Sequence, residues 1–378
     1  MKFIHTSDWQ IGMTFPGLSG KDPDEVVRLK NIRNDQMIRS IFECAKRLDI
    51  HLILAAGDQF EDSHVPDKII SKFLSVVKGY GDIDLYLIPG NHDPYNENSI
   101  YKRDVFQQIP ANLHIIKENQ MIEYNDEAEI YFTVLKEKYG SYNPLDWIES
   151  KDSGKLRIGV GHGSLKIENK YKEEDFPIDT DTAIKKNLDY LALGHWHSFL
   201  AYGDGRTFYS GTPEPTRHGE KASGHVLEVE IDRHNVSPRI QKHEINSYTW
   251  IDKSSEVYSK DDIDLLFSPY LTSFKECVLK LSLTGQLSLE DYDYLEQQID
   301  GVKSKVSFLD VNKDNVNINL SDDDLKDHMP DDYIKNVYDR LNEIHDGAEP
   351  CPSSLGEEVD QKMCALKALQ IMGQGFRE

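Results

Sequence analysis

Leu85-Tyr86-Leu87-Ile88-Pro89-Gly90-Asn91-His92-Asp93 is the stretch on which the fold turns. An apolar run of strand character stops at Pro89-Gly90, because this dipeptide ends a strand and turns the chain, and it delivers Asn91, His92 and Asp93 at the carboxyl end. A polar turn would explain these residues as well as a binding site does. The same event recurs four times. Lys2 to Thr6 runs into Ser7-Asp8-Trp9-Gln10, His51 to Ala56 into Gly57-Asp58, Arg157 to Val160 into Gly161-His162-Gly163, and Tyr190 to Leu193 into Gly194-His195-Trp196-His197. Each run ends in Gly or Ser followed by Asp, Asn or His, and that repetition points to one ligand site.

Between the first two strand ends, residues Asp24 to Asp49 carry apolar side chains near helical spacing, with Asp22-Pro23-Asp24 as the start signal. A second helical stretch, Asp67 to Val77, follows Pro66 and precedes the strand Asp84 to Ile88. Strand, helix, strand, helix, strand is the order that builds a parallel sheet with crossover helices, and ligands then collect at the carboxyl ends of its strands. Short strands follow at Leu113 to Ile116, Met121 to Tyr124 and Ile130 to Leu135, and again at Phe199 to Tyr202, Thr207 to Tyr209, Val226 to Ile231 and Arg239 to Ile245. Their spacing predicts antiparallel pairing. The expected fold is α/β, a core of two stacked sheets with helices outside.

A domain boundary is expected at Tyr248 to Asp262, where Ser, Lys, Glu and Asp crowd without periodicity, so residues 1–248 form the first domain. Residues 263–321 then read as a small α+β domain: strand Cys277 to Leu283, helix Leu289 to Lys303, strands Val306 to Leu309 and Val316 to Leu320. Asp322 to Pro330 is an acidic linker, and residues 331–378 hold two helical segments, Asp331 to Ile344 and Glu357 to Met372. The second sets Val359, Met363, Leu366, Leu369, Ile371 and Met372 close to one face, which suits either a satellite of the core or a helix docked in a partner's groove.

The 378 residues carry a net charge of −23, with much of the acidic excess beyond Ile251, which argues against gripping nucleic acid by bulk electrostatics alone. The four cysteines, Cys44, Cys277, Cys351 and Cys364, lie far apart with no Cys-x-x-Cys pair, so neither a zinc ribbon nor a disulfide framework is indicated. With no run approaching eighteen apolar residues and a strand at the N-terminus in place of a leader, the expected location is the cytoplasm.

Asp8, Asp58, Asn91, His162, His195 and His197 supply two carboxylates, a carboxamide oxygen and three imidazoles. Singly, such an Asp is usually a helix cap and such a His a satisfied polar group. Jointly, each after a strand and a small residue, they suit borderline or hard divalent ions. They are too many for one tetrahedral site. Two metals about 3.5–4 Å apart and bridged by Asp58 would use them all, an arrangement that activates water and clamps a phosphoryl group.

These five motifs resemble those of the calcineurin-like metallophosphoesterases. More narrowly, His5-Thr6-Ser7-Asp8-Trp9, Asp189-Tyr190-Leu191-Ala192-Leu193-Gly194-His195 and Tyr209-Ser210-Gly211-Thr212-Pro213 resemble the SbcD branch, bacterial relatives of the Mre-eleven nuclease. The resemblance implies a four-layer α-β-β-α sandwich of two mixed sheets, then a small α+β capping domain for DNA recognition and C-terminal helices that hold an SbcC-type, Rad-fifty-like ATPase. It implies a manganese-dependent DNA exonuclease and endonuclease, and a homodimer through the nuclease domain. Carried over, Asp8, Asp58 and His197 hold one metal, and Asp58, Asn91, His162 and His195 the other. His92 faces the phosphate and stabilises developing charge or protonates the leaving oxygen, with Asp93 either orienting it or capping the turn.

One position departs from the family. Where Asp-x-His is usual, this chain has Asp8-Trp9-Gln10, so a carboxamide stands in place of an imidazole, a weaker donor with a longer reach. Gln10 as a ligand or water-bridged neighbour, an unusual metal requirement, and a degenerate subunit all follow as readings. Lys102, Arg103, Arg217 and His218 lie near the motif loops and are the candidates for DNA phosphate contacts, set against ordinary solvated surface charge. Two further classes compete: a phosphodiesterase or protein phosphatase of the same superfamily, and a non-catalytic adaptor of an SMC-like ATPase.

Overall fold

The computed structural model describes residues 1–18, 22–232, 237–271, 276–319, 332–348, 364–365 and 368. They fall into two compact units, Met1–Trp250 and the part from Ile251 onward. The strands of the first unit, in chain order, are β1 (Lys2–Thr6), β2 (Leu52–Ala56), β3 (Asp84–Ile88), β4 (Leu113–Ile115), β5 (Gln120–Tyr124), β6 (Ala128–Phe132) and β7 (Leu156–His162). There follow β8 (Ser164–Leu165), β9 (Pro177–Ile178), β10 (Tyr190–Gly194), β11 (Leu200–Ala201), β12 (Thr207–Tyr209), β13 (His225–Glu230) and β14 (Arg239–Glu244). Its helices are α1 (Pro23–Asn31), α2 (Met37–Arg47), α3 (Asp67–Lys78) and the short α4 (Thr182–Lys185).

Two six-stranded mixed sheets result, ordered β14-β13-β1-β2-β3-β4 and β11-β12-β10-β7-β6-β5. Alternation along the strands builds the layers, because successive side chains point to opposite faces. Leu52, Leu54 and Ala56 of β2 meet Tyr190 and Ala192 of β10 between the sheets. Ile53 and Ala55 face the other way, onto Ile41 and Phe42 of α2 and Phe73 of α3. Leu191 and Leu193 of β10 pack on an outer cluster with Leu145, Ile148 and Ala183, so this face is covered mainly by irregular segments and α4. Each Leu or Phe buried in this way is worth roughly 1.5–3 kcal/mol relative to exposure.

Two features differ from expectation. The helical stretch expected over Asp24 to Asp49 is present, but α1 and α2 run into one another through a π-helical turn, Ile32–Gln36, that aims the buried Arg33 and Asn34 at the loop after β1. The antiparallel expectation holds for β5 with β6, β11 with β12, and β13 with both β1 and β14. However, β4, β6 and β12 pair in parallel with β3, β7 and β10. Short spacing signals a hairpin only when the next strand is also the neighbour, and here the chain crosses over first.

The second unit contains β15 (Thr249–Val257), α5 (Lys260–Leu271), β16 (Cys277–Ser288), α6 (Leu289–Lys303), β17 (Phe308–Asn319) and α7 (Asp332–Asp346). The sheet order is β15-β16-β17, with Val257, Phe267, Leu279, Leu281 and Leu295 in its core. Ser288 caps α6, its hydroxyl accepting from the Asp291 amide at 3.1 Å. The aperiodic stretch Tyr248 to Asp262 is therefore mostly strand β15, whose exposed polar side chains hid it, and the two expected strands after Lys303 are one continuous strand. The linker Asp322 to Pro330 lies outside the described residues, as does Glu357 to Met372 apart from Cys364, Ala365 and Ala368. Among the described residues no helix is long and apolar enough to cross a membrane.

Candidate metal centre

Because β1, β2 and β3 run parallel in one sheet and β7 and β10 run parallel in the other, the five polar strand ends of the sequence meet at one edge of the sandwich. The backbone there is unusual. Asp8 (φ 55°), Gln10 (φ 49°), Asp58 (φ 56°) and His195 (φ 105°) all occupy the left-handed region, at a cost of order 1–3 kcal/mol each for a residue with a side chain. Neighbouring loops brace them: the Asp8 amide donates to the Gly57 carbonyl and the Gln10 amide to the Asp58 carbonyl, both at 3.0 Å. Gly90 permits a close approach, since a Cβ added there would lie 2.2 Å from Asp58 Oδ1. Gly90→Ala is accordingly expected to destabilise the protein by about 1–3 kcal/mol, through overpacking against an immobile neighbour, and to weaken divalent-metal binding. Thermal unfolding with and without Mn(II) checks this; an unchanged midpoint and unchanged metal affinity would contradict it.

Asp8, Asp58 and His162 are buried, with ligand atoms all within 4.8 Å of one another. His162 donates its Nδ1–H to the Ala56 carbonyl at 2.8 Å, which leaves Nε2 facing Asn91 Oδ1 at 2.9 Å and Asp58 Oδ2 at 3.4 Å. His195 brings Nδ1 to 3.0 Å from the same Asn91 oxygen. His197 places Nε2 3.9 Å from Asp8 Oδ1. Thus the donors sort into two groups, Asp8 with His197 and Asn91 with His162 and His195, and Asp58 stands between them. With Nδ1–H given to Ala56, the Nε2 of a neutral His162 turns a lone pair toward Asn91 Oδ1 and Asp58 Oδ2, and either a proton or a metal cation on that nitrogen joins them. Gln10 lies on the same floor: its Nε2 donates to Asp58 Oδ2 at 3.3 Å, and its buried Oε1 has no hydrogen-bond partner. An orphaned buried oxygen beside nitrogen and carboxylate donors fits a borderline or hard divalent ion.

The electrostatics agree. Burial by itself would raise the Asp58 pKa, but the His162 imidazole and the His92 ring and amide outweigh it and hold the carboxyl well below its ordinary range. Burial would lower His162, yet the Asp58 charge chiefly, with Asp8 and the Ala56 carbonyl, lifts it above the ordinary histidine range. The pair is a proton-loaded version of a metal site.

His92 lines the adjoining cleft of about 900 Å³, its amide donating to Asp58 Oδ1 at 2.8 Å and its Nδ1 lying 3.0 Å from the Glu61 carbonyl. Glu61, and not Asp93, orients the ring. Asp93 is spent on the turn, accepting from the Gly90 and Phe60 amides (2.7 and 3.0 Å) and from the Tyr101 hydroxyl (2.5 Å), so an orienting role toward His92 is corrected to a structural one.

Of the four basic candidates, Arg217 and His218 line the cleft. Arg103 does not serve it: the guanidinium donates to the Val65 carbonyl at 2.5 Å and pairs with Asp67, pinning the start of α3. Lys102 reaches over the Tyr95 ring, 5.1 Å from its centroid, and is not part of the cleft wall. Three residues went unread in the sequence. Glu220 holds His197 Nδ1 at 2.6 Å, Asp175 approaches His195 Nε2 at 3.9 Å, and buried Arg33 donates to the Trp9, Glu214 and Pro215 carbonyls, tying the loop after β1 to that after β12. Only the run Gly211-Thr212-Pro213, next to the Glu214 and Pro215 carbonyls that Arg33 holds, gave any signal.

The chain matches the family model of calcineurin-like phosphoesterases over residues 1–199. It is 23% identical over 291 residues to YhaO of Bacillus subtilis (strain 168), described as an uncharacterised metallophosphoesterase, covering 73% of this chain and 68% of that protein. Solved structures that it resembles include TT1561 of Thermus thermophilus (7% identity, TM-score 0.41, covering 65% of this chain and 98% of that one). Another is GAP50, the anchor in the inner membrane complex of Plasmodium (12% identity, TM-score 0.38, covering 65% and 84%). With a family match over half its length, two mixed sheets and a converging set of carboxylate, carboxamide and imidazole donors at their strand ends, the chain belongs to the calcineurin-like phosphoesterases, a family of metal-dependent phosphoester hydrolases.

Proposed function

We propose that this chain is a DNA nuclease that hydrolyses phosphodiester bonds with two divalent ions, Mn(II) above all. We further propose that it works as the SbcD-like subunit of an SbcC-type, Rad-fifty-like ATPase complex acting on DNA ends, and as a cytoplasmic homodimer. The observation that supports the chemistry is the buried cluster of Asp8, Asp58 and His162, with Asn91, His195 and His197 around it and His92 beside it at the wall of an open cleft. Bound there, the ions supply Lewis acidity to a phosphoryl oxygen and lower the pKa of a water. The chain's own residues do the rest. Asp8, Asp58, Asn91, His162, His195 and His197 hold and space the donors, with Gln10 Oε1 available to the first set. His92 gives its Nδ1–H to the Glu61 carbonyl, so as an imidazolium it has Nε2–H to donate to a phosphoryl or leaving oxygen. Arg217, its side chain 76% exposed on the cleft wall, suits a phosphate of the entering strand.

An acidic chain makes better sense if its partner supplies much of the DNA surface. The isolated protein should then bind DNA weakly and the complex tightly, and equal affinity in both states would count against the partnership. The test of activity incubates linear and supercoiled DNA with Mn(II), with Mg(II) and with EDTA. Processive loss of nucleotides with Mn(II) only is the expected result, and Gln10→His should raise cleavage at limiting Mn(II) several-fold by adding an imidazole donor. Hydrolysis of a small phosphodiester with intact DNA would redirect the reading to a non-DNA phosphodiesterase. No hydrolysis of either would indicate a non-catalytic subunit.

A further inference from the structure

The two donor groups are not equally equipped. Asn91 is met by two imidazoles, His162 and His195, whereas the imidazole nearest Asp8 among the described residues is His197, at 3.9 Å; His162, within 4.8 Å of Asp8, already turns its Nε2 to Asn91 and Asp58, and Gln10 is the other neighbour. A carboxamide oxygen is a weaker donor than imidazole toward manganese, iron or zinc. The first group would therefore hold its ion poorly unless its one imidazole were improved.

Glu220 has the position to do this. Its Oε1 accepts from His197 Nδ1 at 2.6 Å, which fixes the ring's tautomer and leaves Nε2, the atom 3.9 Å from Asp8 Oδ1, as the lone-pair nitrogen. Glu220 is itself clamped: the Thr216 amide donates to Oε2 at 2.6 Å, the Thr216 hydroxyl to Oε1 at 2.5 Å, and Arg217 Nε lies 3.4 Å from Oε1. Only 5% of its side chain is exposed. The imidazoles of the other group have weaker backing. His162 leans on a neutral carbonyl at 2.8 Å, and the carboxylate of Asp175 stands 3.9 Å from His195.

We infer that Glu220, held by Thr216, is the positioning residue that keeps the Asp8–His197 half of the centre competent for a metal and so offsets the replacement of an imidazole by Gln10. A carboxylate behind a ligating imidazole fixes its orientation and raises its basicity, and losing one typically costs 10- to 100-fold in metal affinity. This rests on the two-metal reading above and is independent of whether the substrate is DNA.

The test is Mn(II) binding to the full chain, followed by electron paramagnetic resonance and calorimetry, with thermal unfolding in EDTA as the check that each variant is folded. The wild type should bind two ions. Glu220→Gln should weaken one of them about 10- to 100-fold and leave the other within twofold. Thr216→Val, which keeps the carboxylate but loosens it, should weaken the same site by a smaller factor. Adding Gln10→His to Glu220→Gln should return that site to within a few-fold of wild type, since a second imidazole makes the first less critical. Equal weakening of both sites, no weakening, or a folded double variant without recovery would overturn the inference. A wild type that binds no Mn(II) at all would instead remove the two-metal reading beneath it.

Discussion

His92→Ala is expected to lower Mn(II)-dependent DNA cleavage by about 10²–10⁴-fold, the range typical for removing a positioned proton donor, while both ions remain bound. The separation follows from how His92 is attached. Its hydrogen bond to the centre comes from the backbone amide, donating to Asp58 Oδ1 at 2.8 Å, and alanine keeps that amide. The ring reaches into the cleft wall, held by the Glu61 carbonyl 3.0 Å from Nδ1, and alanine removes it. Single-turnover cleavage measures the loss and a Mn(II) titration checks the retention. Cleavage within tenfold of wild type would exclude the proton-donor role, and loss of the ions would show that the ring is structural. Because a donor matters most when the leaving group is poor, the defect should shrink on a phosphodiester with a p-nitrophenol leaving group.

The strand ends were legible because two local rules coincide there. A period-two apolar run says which residues are strand, and the Gly or Pro that stops it says where the chain turns; Ile88-Pro89-Gly90-Asn91 and Leu193-Gly194-His195 obey both. That the strands are parallel followed from the helices between them, so the convergence of Asp8, Asp58 and Asn91 was deducible. What escaped was everything that acts from an irregular segment. Glu220 reaches His197 across 23 residues, and Arg33 reaches Glu214 across 181, with no periodicity to advertise either. Arg33 was also disguised by its setting, since a basic residue in an amphipathic helix reads as the solvated face, and only the π-turn Ile32–Gln36 turns it inward. Arg103 misled in the opposite sense: a cation near a motif loop looks available, but three oxygen partners, the Ser63 and Val65 carbonyls and Asp67, already claim it. Strand β15 was hidden because Asp252, Lys253, Ser254 and Glu256 are all exposed and the alternation that marks a half-buried strand is absent.

Asp58→Asn changes one atom and should remove metal binding at both positions, because the carboxylate stands between the two donor groups and a carboxamide offers one uncharged oxygen where two charged ones had been. The same substitution has a consequence in the metal-free protein that a purely catalytic residue would not have. His162 is fully buried, and its pKa lies above the ordinary histidine value, with Asp58 the chief cause that outweighs burial. A histidine whose pKa is raised on folding contributes stability that is complete below its unfolded value, about 6.5, and is lost as pH climbs through the folded value. Asp58, depressed on folding, contributes stability present above its unfolded value, about 3.9, and lost as pH falls. Metal-free wild type should therefore be most stable between about pH 4 and pH 6.5 and weaken on the alkaline side. In Asp58→Asn the imidazolium has lost its main counter-charge, so His162 should be neutral there and the alkaline decline should flatten, at a cost of about 3 kcal/mol near pH 6 for breaking a buried pair. Urea unfolding in EDTA from pH 5 to pH 9 reads this directly, and parallel curves for the two proteins would mean that Asp58 and His162 do not share a proton. Raising pH should meanwhile tighten Mn(II) binding to the wild type, because the ion and the proton compete for the same His162 nitrogen.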